Sequence, residues 1–217
     1  MQLERMDDFF AARVDGYDEH MRRDIEGGSA FYAYTAALLP AFPGARILDL
    51  GCGTGLELEE YFRLAPDARI TGIDLSDVML SALRAKFPGK DITLINASYF
   101  DTPFGIEAYD GAVSVESLHH FPADMKLGLY RRLYEALKPG GVFALTDYFA
   151  ESPELEIEYF RDLEALMRDQ GLDKSAVYHY DTPLTVEHET ELLKTAGFTR
   201  VTVKMCWGTS YTLEAGR

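Results

Sequence analysis

The sequence has little cysteine and no long hydrophobic run, and each shortage excludes a class of protein. Its two cysteines, Cys52 and Cys206, are too few for a disulfide framework, and neither lies in a metal-ligand spacing. The longest nearly uninterrupted apolar stretch, residues 31–42, has 12 residues, short of the about 18 needed to cross a bilayer. We therefore expect a reducing compartment, no metal site and no membrane span.

Basic residues are also scarce. The 21 Lys and Arg stand against 36 Asp and Glu, a net charge of −15, which repels polyanions and makes a nucleic-acid partner unfavourable. The amino terminus shows no basic region followed by an apolar segment, so we expect a cytoplasmic protein. A length of 217 residues predicts one globular unit, as a monomer or a homodimer.

Apolar runs of β type alternate with helical periods from about residue 46 onward, which predicts an α/β fold with a parallel sheet. Each run is apolar at most positions, as expected for strands covered on both faces. The predicted strands are 45–50, 69–74, 92–96, 111–115 and 142–147, and the predicted crossover helices are 57–64, 77–87 and 124–137.

The two ends of the chain differ from this alternating middle. Ser152 and Pro153 predict the start of an amphipathic helix, and a later helix ending at Gly197 leads into two closing strands, 200–206 and 210–213. Residues 1–44 predict one or two helices that precede the first strand and lie over the sheet. We therefore expect a helical lid over 1–44 and a main domain over 45–217, packed as a single unit.

The turn after the first predicted strand is the most informative stretch. Asp49 precedes glycines at 51, 53 and 55, where the backbone can adopt positive φ and approach a ligand. Dinucleotide-binding turns space their glycines two and three apart, so the two-and-two spacing disfavours NAD or FAD and an oxidoreductase. Asp74, which ends the second predicted strand, is placed to accept hydrogen bonds from ribose hydroxyls, so a nucleoside ligand is expected.

Four blocks in order resemble the class I, Rossmann-like S-adenosylmethionine-dependent methyltransferases over about residues 45–147. The resemblance implies a doubly wound, mostly parallel seven-stranded sheet of order 3-2-1-4-5-7-6, with strand 7 antiparallel. It also implies S-adenosyl-L-methionine as cofactor and S-adenosyl-L-homocysteine as product. The blocks are 47–55 (ILDLGCGTG), 72–76 (GIDLS) with Met79, 109–115 (YDGAVSV) followed by 118–121 (LHHF), and 137–141 (LKPGG).

The same resemblance implies the cofactor contacts. The turn would meet the methionine moiety, Asp74 the ribose, and Leu75 and Met79 the adenine face. Ser98 stands where the family often has an Asp that accepts from the adenine amino group, and its hydroxyl can still accept that bond. The implied contacts are Tyr17, Asp49, Gly51, Cys52, Gly53, Thr54, Gly55, Asp74, Leu75, Met79, Ser98, Tyr99, Val115 and Glu116.

Transfer of a sulfonium methyl group needs alignment, exclusion of water and removal of one proton from a protonated acceptor. His119 or His120 is a candidate general base because imidazole titrates near neutral pH, although packing or a cofactor contact would also explain the pair. Glu116 and Asp147 predict either an acidic rim that favours a cationic or amine substrate, or solvated strand ends. Tyr17 from the lid is a further candidate catalytic or cofactor contact.

The leading interpretation is in-line methyl transfer to a small-molecule acceptor. Two alternatives stay open at this point: a methyltransferase that modifies nucleosides of tRNA or another RNA, and a non-catalytic subunit that binds the cofactor. Neither the acceptor nor its reacting atom can be read from the residues.

Overall fold

The computed structural model describes residues 1–173 and 176–217 and shows a seven-stranded sheet. The strand order, β3-β2-β1-β4-β5-β7-β6, is the predicted one, and β7 runs antiparallel to both of its neighbours. The other neighbouring pairs are parallel. The strands are β1 (Arg46–Leu50), β2 (Arg69–Asp74), β3 (Asp91–Asn96), β4 (Tyr109–Val115), β5 (Leu137–Tyr148), β6 (Arg200–Trp207) and β7 (Ser210–Gly216).

The helices agree closely with the predicted crossover segments. Ser76 and Ser152 cap their helices through side-chain bonds from Met79 N and Leu155 N, as their positions in the sequence predict. The helices are α1 (Met6–Ala11), α2 (Tyr17–Arg23), α3 (Gly28–Ala37), α4 (Leu56–Leu64), α5 (Asp77–Lys86), α6 (Ala123–Ala136), α7 (Pro153–Asp169) and α8 (Val186–Ala196). A short 3₁₀ turn, Leu118–His120, follows β4.

Two strands, β5 and β7, are at least three residues longer than predicted. β5 begins at Leu137 instead of residue 142, because Leu137 already pairs with Tyr109 of β4 before the Pro-Gly-Gly stretch. β7 continues to Gly216 instead of ending at 213, because it pairs with β5 along its whole length. Apolar pattern alone missed these extensions, since the added residues pair through their backbones.

The amino-terminal segment forms three helices where one or two were predicted. α3 packs into the core: Phe31 and Ala36 have no solvent exposure, and Thr35 Oγ1 lies 2.5 Å from Thr146 Oγ1 of β5. α1 and α2 lie instead at the carboxyl ends of the strands, where their side chains line two cavities. The division between a lid over 1–44 and a domain over 45–217 stays a prediction.

The core lies on both faces of the central strands. β1 is buried from Ile47 to Leu50, and Phe143 and Leu145 of β5 are at most 1 % exposed. Burial of side chains of this size contributes about 1.5–3 kcal/mol each, so the central strands form a rigid base for the loops above them. Among the described residues, the search for a helix with the length and hydropathy of a bilayer span finds none.

Candidate active site

The glycine-rich turn leaves β1 and bends between β2 and the 3₁₀ turn. Gly51 has φ +74, its N–H donates to Ile73 O at 2.9 Å, and a Cβ there would lie 2.1 Å from Ser117 Oγ. Gly53 has φ +46, and a Cβ there would meet nothing within 4 Å. The turn is therefore packed tightly at Gly51 and open at Gly53, on the side where a ligand can approach.

Asp74 holds the open side of this turn. Its Oδ2 accepts a hydrogen bond from Gly53 N at 2.9 Å, and its Oδ1 accepts one from Ser76 N at 2.8 Å. Burial raises the pKa of Asp74, while the backbone bonds from Ser76, Gly53 and Leu75 oppose that rise. The carboxyl group thus sits at the mouth of a crevice beside the turn, where ribose hydroxyls could replace solvent.

The crevice runs from the turn to the start of α5. It encloses about 50 Å³, and Met6 and Phe10 of α1 lie over it. Eight predicted cofactor contacts line it: Tyr17, Gly51, Gly53, Asp74, Leu75, Met79, Tyr99 and Glu116. The apolar members lie on the α5 side of Asp74, which suits a nucleoside base beside its ribose.

Two buried acids lie behind the turn, and one carboxyl oxygen of each is left without a hydrogen-bond partner. Asp49 is 1 % and Glu57 5 % exposed, and Asp49 Oδ2 and Glu57 Oε1 have no hydrogen-bond partner. Burial raises the pKa of both groups, most strongly that of Asp49, which Glu57 raises further. Such unpartnered acceptors call for a donor or a positive charge, which the ammonium group of a methionine moiety would supply.

A larger cavity of about 780 Å³ adjoins the crevice. Phe10, Tyr17, Glu116 and His120 line both spaces, so they share a wall. Acidic side chains predominate in the larger cavity. Among its described lining residues, Arg13 is the one Lys or Arg, and its guanidinium is paired with Glu4 at 2.9 Å. Its acidic lining residues are Asp15, Asp24, Glu26, Glu116 and Asp181.

His119 is held by Asp147 at the inner wall of this cavity. His119 Nδ1 lies 2.5 Å from Asp147 Oδ1, and Asp147 Oδ2 accepts from Leu118 N at 2.9 Å. Burial opposes protonation of His119, but Asp147 and Asp181 prevail and raise its pKa to about 10. This raised pKa favours the protonated form of His119, whereas a general base needs the neutral form.

Asp147 also departs from the expectation of an acidic rim or a solvated strand end. It is 2 % exposed, and its carboxyl oxygens form hydrogen bonds with His119 and with the backbone of the 3₁₀ turn. Its carboxyl group orients His119 instead of facing a substrate.

His120 faces Asp181, a residue that the sequence analysis did not single out. His120 Nδ1 lies 3.2 Å from Asp181 Oδ1 and 3.2 Å from Tyr180 O, and His119 Nε2 lies 3.5 Å from the same carboxyl oxygen. Burial and the charge on His119 lower the pKa of His120. Hydrogen bonds from both histidines lower the pKa of Asp181 although burial opposes them. Thr182 N donates to His119 O at 2.8 Å and fixes the Asp181 segment to the 3₁₀ turn.

Glu116 and Tyr17 complete the shared wall. Glu116 has φ +48, an uncommon conformation for a residue other than glycine, and its Oε1 accepts from Ser210 Oγ at 2.8 Å. Burial raises the pKa of Glu116 to about 7. Burial and the nearby carboxyl groups, first among them that of Asp74, raise the pKa of Tyr17, so its hydroxyl stays neutral.

Comparison with known proteins agrees with this geometry. Residues 47–141 match the family model described as a methyltransferase domain. The chain is 28 % identical over 167 residues to an O-methyltransferase of Aspergillus nomiae, covering 73 % of this chain and 72 % of that protein. It is 37 % identical over 109 residues to demethylmenaquinone methyltransferase of Symbiobacterium thermophilum, covering 46 % of this chain and 41 % of that protein. The chain is therefore similar to methyltransferases, and the match to the family model covers the glycine-rich turn and Asp74.

Solved structures show the same fold as this chain. It superimposes with a TM-score of 0.65 and 21 % identity on 1,6-didemethyltoxoflavin-N1-methyltransferase of Burkholderia thailandensis, over 96 % of this chain and 87 % of that one. That protein was solved with bound 1,6-didemethyltoxoflavin and S-adenosylhomocysteine. Human N-acetylserotonin methyltransferase, solved with S-adenosylmethionine, gives a TM-score of 0.65 at 20 % identity over 97 % of this chain and 56 % of that one. The chain spans only about 40 % of the length of several curated relatives.

The structure does not bring every predicted cofactor contact to the crevice. Thr54 donates to Asp18 of α2 at 2.5 Å, and Ser98 Oγ accepts from Phe100 N at 3.1 Å, so both hydroxyls already have protein partners. The predicted contacts outside the described lining of both cavities are Asp49, Cys52, Thr54, Gly55, Ser98 and Val115. The four candidate catalytic residues, Tyr17, Glu116, His119 and His120, all line the larger cavity.

Sequence reasoning missed the segment that carries His179 and Asp181. His179 stacks on Phe9 with ring centroids 3.5 Å apart, and burial lowers its pKa to about 4. A signal was present, because the run from Tyr178 to Asp181 (YHYD) groups aromatic and titratable residues before Thr182 and Pro183. The sequence analysis did not use this run because residues 171–183 give no periodic pattern. Residues 174 and 175 of this stretch lie outside the described residues.

Proposed function

We propose that the protein transfers a methyl group from S-adenosylmethionine to a small-molecule acceptor bound in the larger cavity. The observation that carries the proposal is the shared wall of Phe10, Tyr17, Glu116 and His120 between the Asp74 crevice and that cavity. Bound S-adenosylmethionine supplies an electrophilic methyl group on a sulfonium. The protein supplies position and a water-poor site, which carry most of the rate of such a displacement.

Residues of the crevice, and two acids that lie behind the turn outside its lining, fit that cofactor by their chemistry. Asp74 would accept from the ribose hydroxyls, and Leu75 and Met79 would contact the adenine. Asp49 and Glu57 would receive the positive charge of the methionine moiety through their unpartnered oxygens. The open side of Gly53 would let the backbone approach the ligand.

The amino-terminal helices would act as the cover of this site. Ligand pockets usually offer about 300–1,000 Å³. The crevice encloses about 50 Å³ while Met6 and Phe10 lie over it. We therefore expect α1 to move outward when the cofactor binds and to close again over the bound molecule.

The binding step is tested by calorimetry with S-adenosylhomocysteine on the wild type, D74N and D91N. Asp91 is a matched control because it is an exposed acid at the start of β3 that pairs with Arg69. Loss of hydrogen bonds to a charged group costs about 1.5–3 kcal/mol, so D74N should weaken binding about 10- to 100-fold while D91N binds like the wild type. Absence of binding by the wild type would overturn the proposal.

The transfer step needs a separate measurement, made with isotopically labelled methyl groups on a panel of hydroxyl, amine and thiol acceptors. Transfer to one class would identify the acceptor atom. Tight cofactor binding without transfer to any of them would favour a non-catalytic cofactor-binding subunit.

A further inference from the structure

We propose that His119, His120 and Asp181 form a binding site for one divalent transition-metal ion at the inner wall of the larger cavity. The three side chains come from two segments about 60 residues apart in sequence and converge on one point. Asp181 Oδ1 lies 3.5 Å from His119 Nε2 and 3.2 Å from His120 Nδ1, and the three potential ligand atoms lie within 4.8 Å of one another. Metal–ligand distances of about 2.0–2.2 Å place neighbouring ligands about 3–3.5 Å apart, so little movement would be required.

The surroundings of His119 are those of a metal-ligating histidine. Asp147 Oδ1 accepts from its Nδ1, which leaves Nε2 as the atom that faces Asp181. Metal-ligating histidines almost always donate their second ring nitrogen to a carboxylate or carbonyl group in this way. Asp147 is itself held by Leu118 N and Tyr148 N, so the orientation of His119 is fixed before any ion binds.

The other two ligands are also held in place. His119 O accepts from Thr182 N at 2.8 Å and from Thr182 Oγ1 at 3.3 Å, which joins the segment of Asp181 directly to the 3₁₀ turn. His120 is 8 % exposed, next to His119 in the chain, with ring centroids 3.9 Å apart. A site whose ligands are positioned in advance binds a metal without a large ordering cost.

Charge favours an ion here. Two carboxylates of the wall, Glu116 and Asp181, face the cavity, and Asp147 lies behind them. The basic lining residue Arg13 is already paired with Glu4. A divalent ion between His119 Nε2 and Asp181 Oδ1 would lie beside these acidic side chains.

The donor set indicates the kind of ion. Two imidazoles and one carboxylate suit zinc, iron(II), cobalt or nickel, whereas calcium and magnesium take oxygen ligands. Three protein ligands leave positions open towards the cavity. Resting on the proposed function, we assign those positions to a hydroxyl or carboxylate oxygen of the acceptor, which the ion would orient.

The experiment uses the full-length protein freed of metal with a chelator, then titrated with Co²⁺ and with Zn²⁺ against a chromophoric competitor. The wild type should bind one equivalent and give the d–d absorption of a Co²⁺ site of low coordination number. D181N and H120Q should weaken binding at least about 100-fold, and D147N, which changes a residue behind the ligands, about 10- to 100-fold.

H188Q is the matched control. His188 lies on α8, pairs with Glu156 of α7 and is not among the residues that line the cavity. It should bind the ions like the wild type. Unfolding temperatures verify that each variant is folded, and X-ray absorption of the zinc-loaded wild type, which needs no variant, should show two imidazole ligands.

Three results would overturn the assignment: no stoichiometric binding by the wild type, unchanged binding by D181N and H120Q, or loss of binding in E116Q with retention in D181N. The last result would select the alternative group of Glu116, His119 and Asp147. Calorimetry with S-adenosylhomocysteine on the same metal-free protein separates the two proposals, because its failure would contradict the methyltransferase function and not the metal site.

Discussion

Asp49 and Glu57 lie against each other behind the glycine-rich turn, and one oxygen of each has no hydrogen-bond partner. Burial raises the pKa of Asp49 in the folded protein above the about 3.9 expected in the unfolded chain. Its contribution to stability is therefore fully present below about pH 4 and is lost as the pH rises through the raised folded value. At neutral pH these acids therefore lower the stability of the folded protein, although we propose that they help to bind the ligand.

We expect D49N to be more stable than the wild type at pH 8 and similar to it at pH 4. An amide does not ionise, and its NH₂ group can donate to Glu57. A gain of about 1 kcal/mol corresponds to about 2–4 °C in Tm for a chain of this size, measured by thermal unfolding across that pH range. The surface variant D91N should show no such pH-dependent gain, and a lower Tm for D49N at pH 8 would contradict the prediction.

The glycines of the turn should separate stability from binding. G51A places a Cβ 2.1 Å from Ser117 Oγ at φ +74, so strain and overpacking should destabilise it by roughly 2–4 kcal/mol in urea unfolding. G53A meets no protein atom within 4 Å, so it should lose only about 1 kcal/mol while its added methyl group weakens binding of S-adenosylhomocysteine.

G140A is the control for both glycine variants, because Gly140 has φ +80 near the start of β5 and a Cβ there also meets nothing within 4 Å. It should cost about as much stability as G53A and leave binding unchanged. Equal binding by G53A and G140A would mean that the ligand does not approach the backbone at Gly53.

The cover formed by α1 gives a kinetic prediction. Phe10 lies over the crevice and contacts Tyr17 and His120 edge-on, at centroid distances of 6.1 and 6.3 Å. F10A should therefore speed both association and dissociation of S-adenosylhomocysteine in stopped-flow measurements, because less apolar surface must separate for α1 to open. F42A, which removes a side chain that is 51 % exposed, should change neither rate.

The parallel strands could be predicted because the central ones are buried and read as apolar runs, whereas the order of the seven strands followed only from the resemblance to a known family. The turn at Gly51 and the position of Asp74 could be predicted for a similar reason, since both follow directly from where a strand ends. The positions of such residues depend on local sequence. In the structure, the hydrogen bond from Gly53 N to Asp74 Oδ2 joins the turn to Asp74.

The far side of the site could not be predicted in this way. Asp181 reaches His120 by a contact between residues 61 apart in the chain, and no periodicity in the intervening sequence indicates it. Asp147 carried a signal as a strand-end acid, but whether such an acid faces solvent or a histidine depends on the fold of the 3₁₀ turn. Tertiary contacts decide these roles, so a single sequence leaves them open.

A buried ion pair between α6 and α8 gives a stability prediction away from the site. Lys126 Nζ lies 2.7 Å from Glu189 Oε2, both residues are 1 % exposed, and Tyr130 donates to the other oxygen of Glu189. K126M leaves Glu189 buried without its charged partner and should cost about 3–5 kcal/mol in urea unfolding. K138M is the control, since Lys138 pairs with Asp110 while 41 % exposed and should cost less than about 1 kcal/mol. The double variant K126M/E189L should recover much of the lost stability, because no charge then remains buried. A double variant as unstable as K126M would mean that Tyr130 and packing, not charge, hold these helices together.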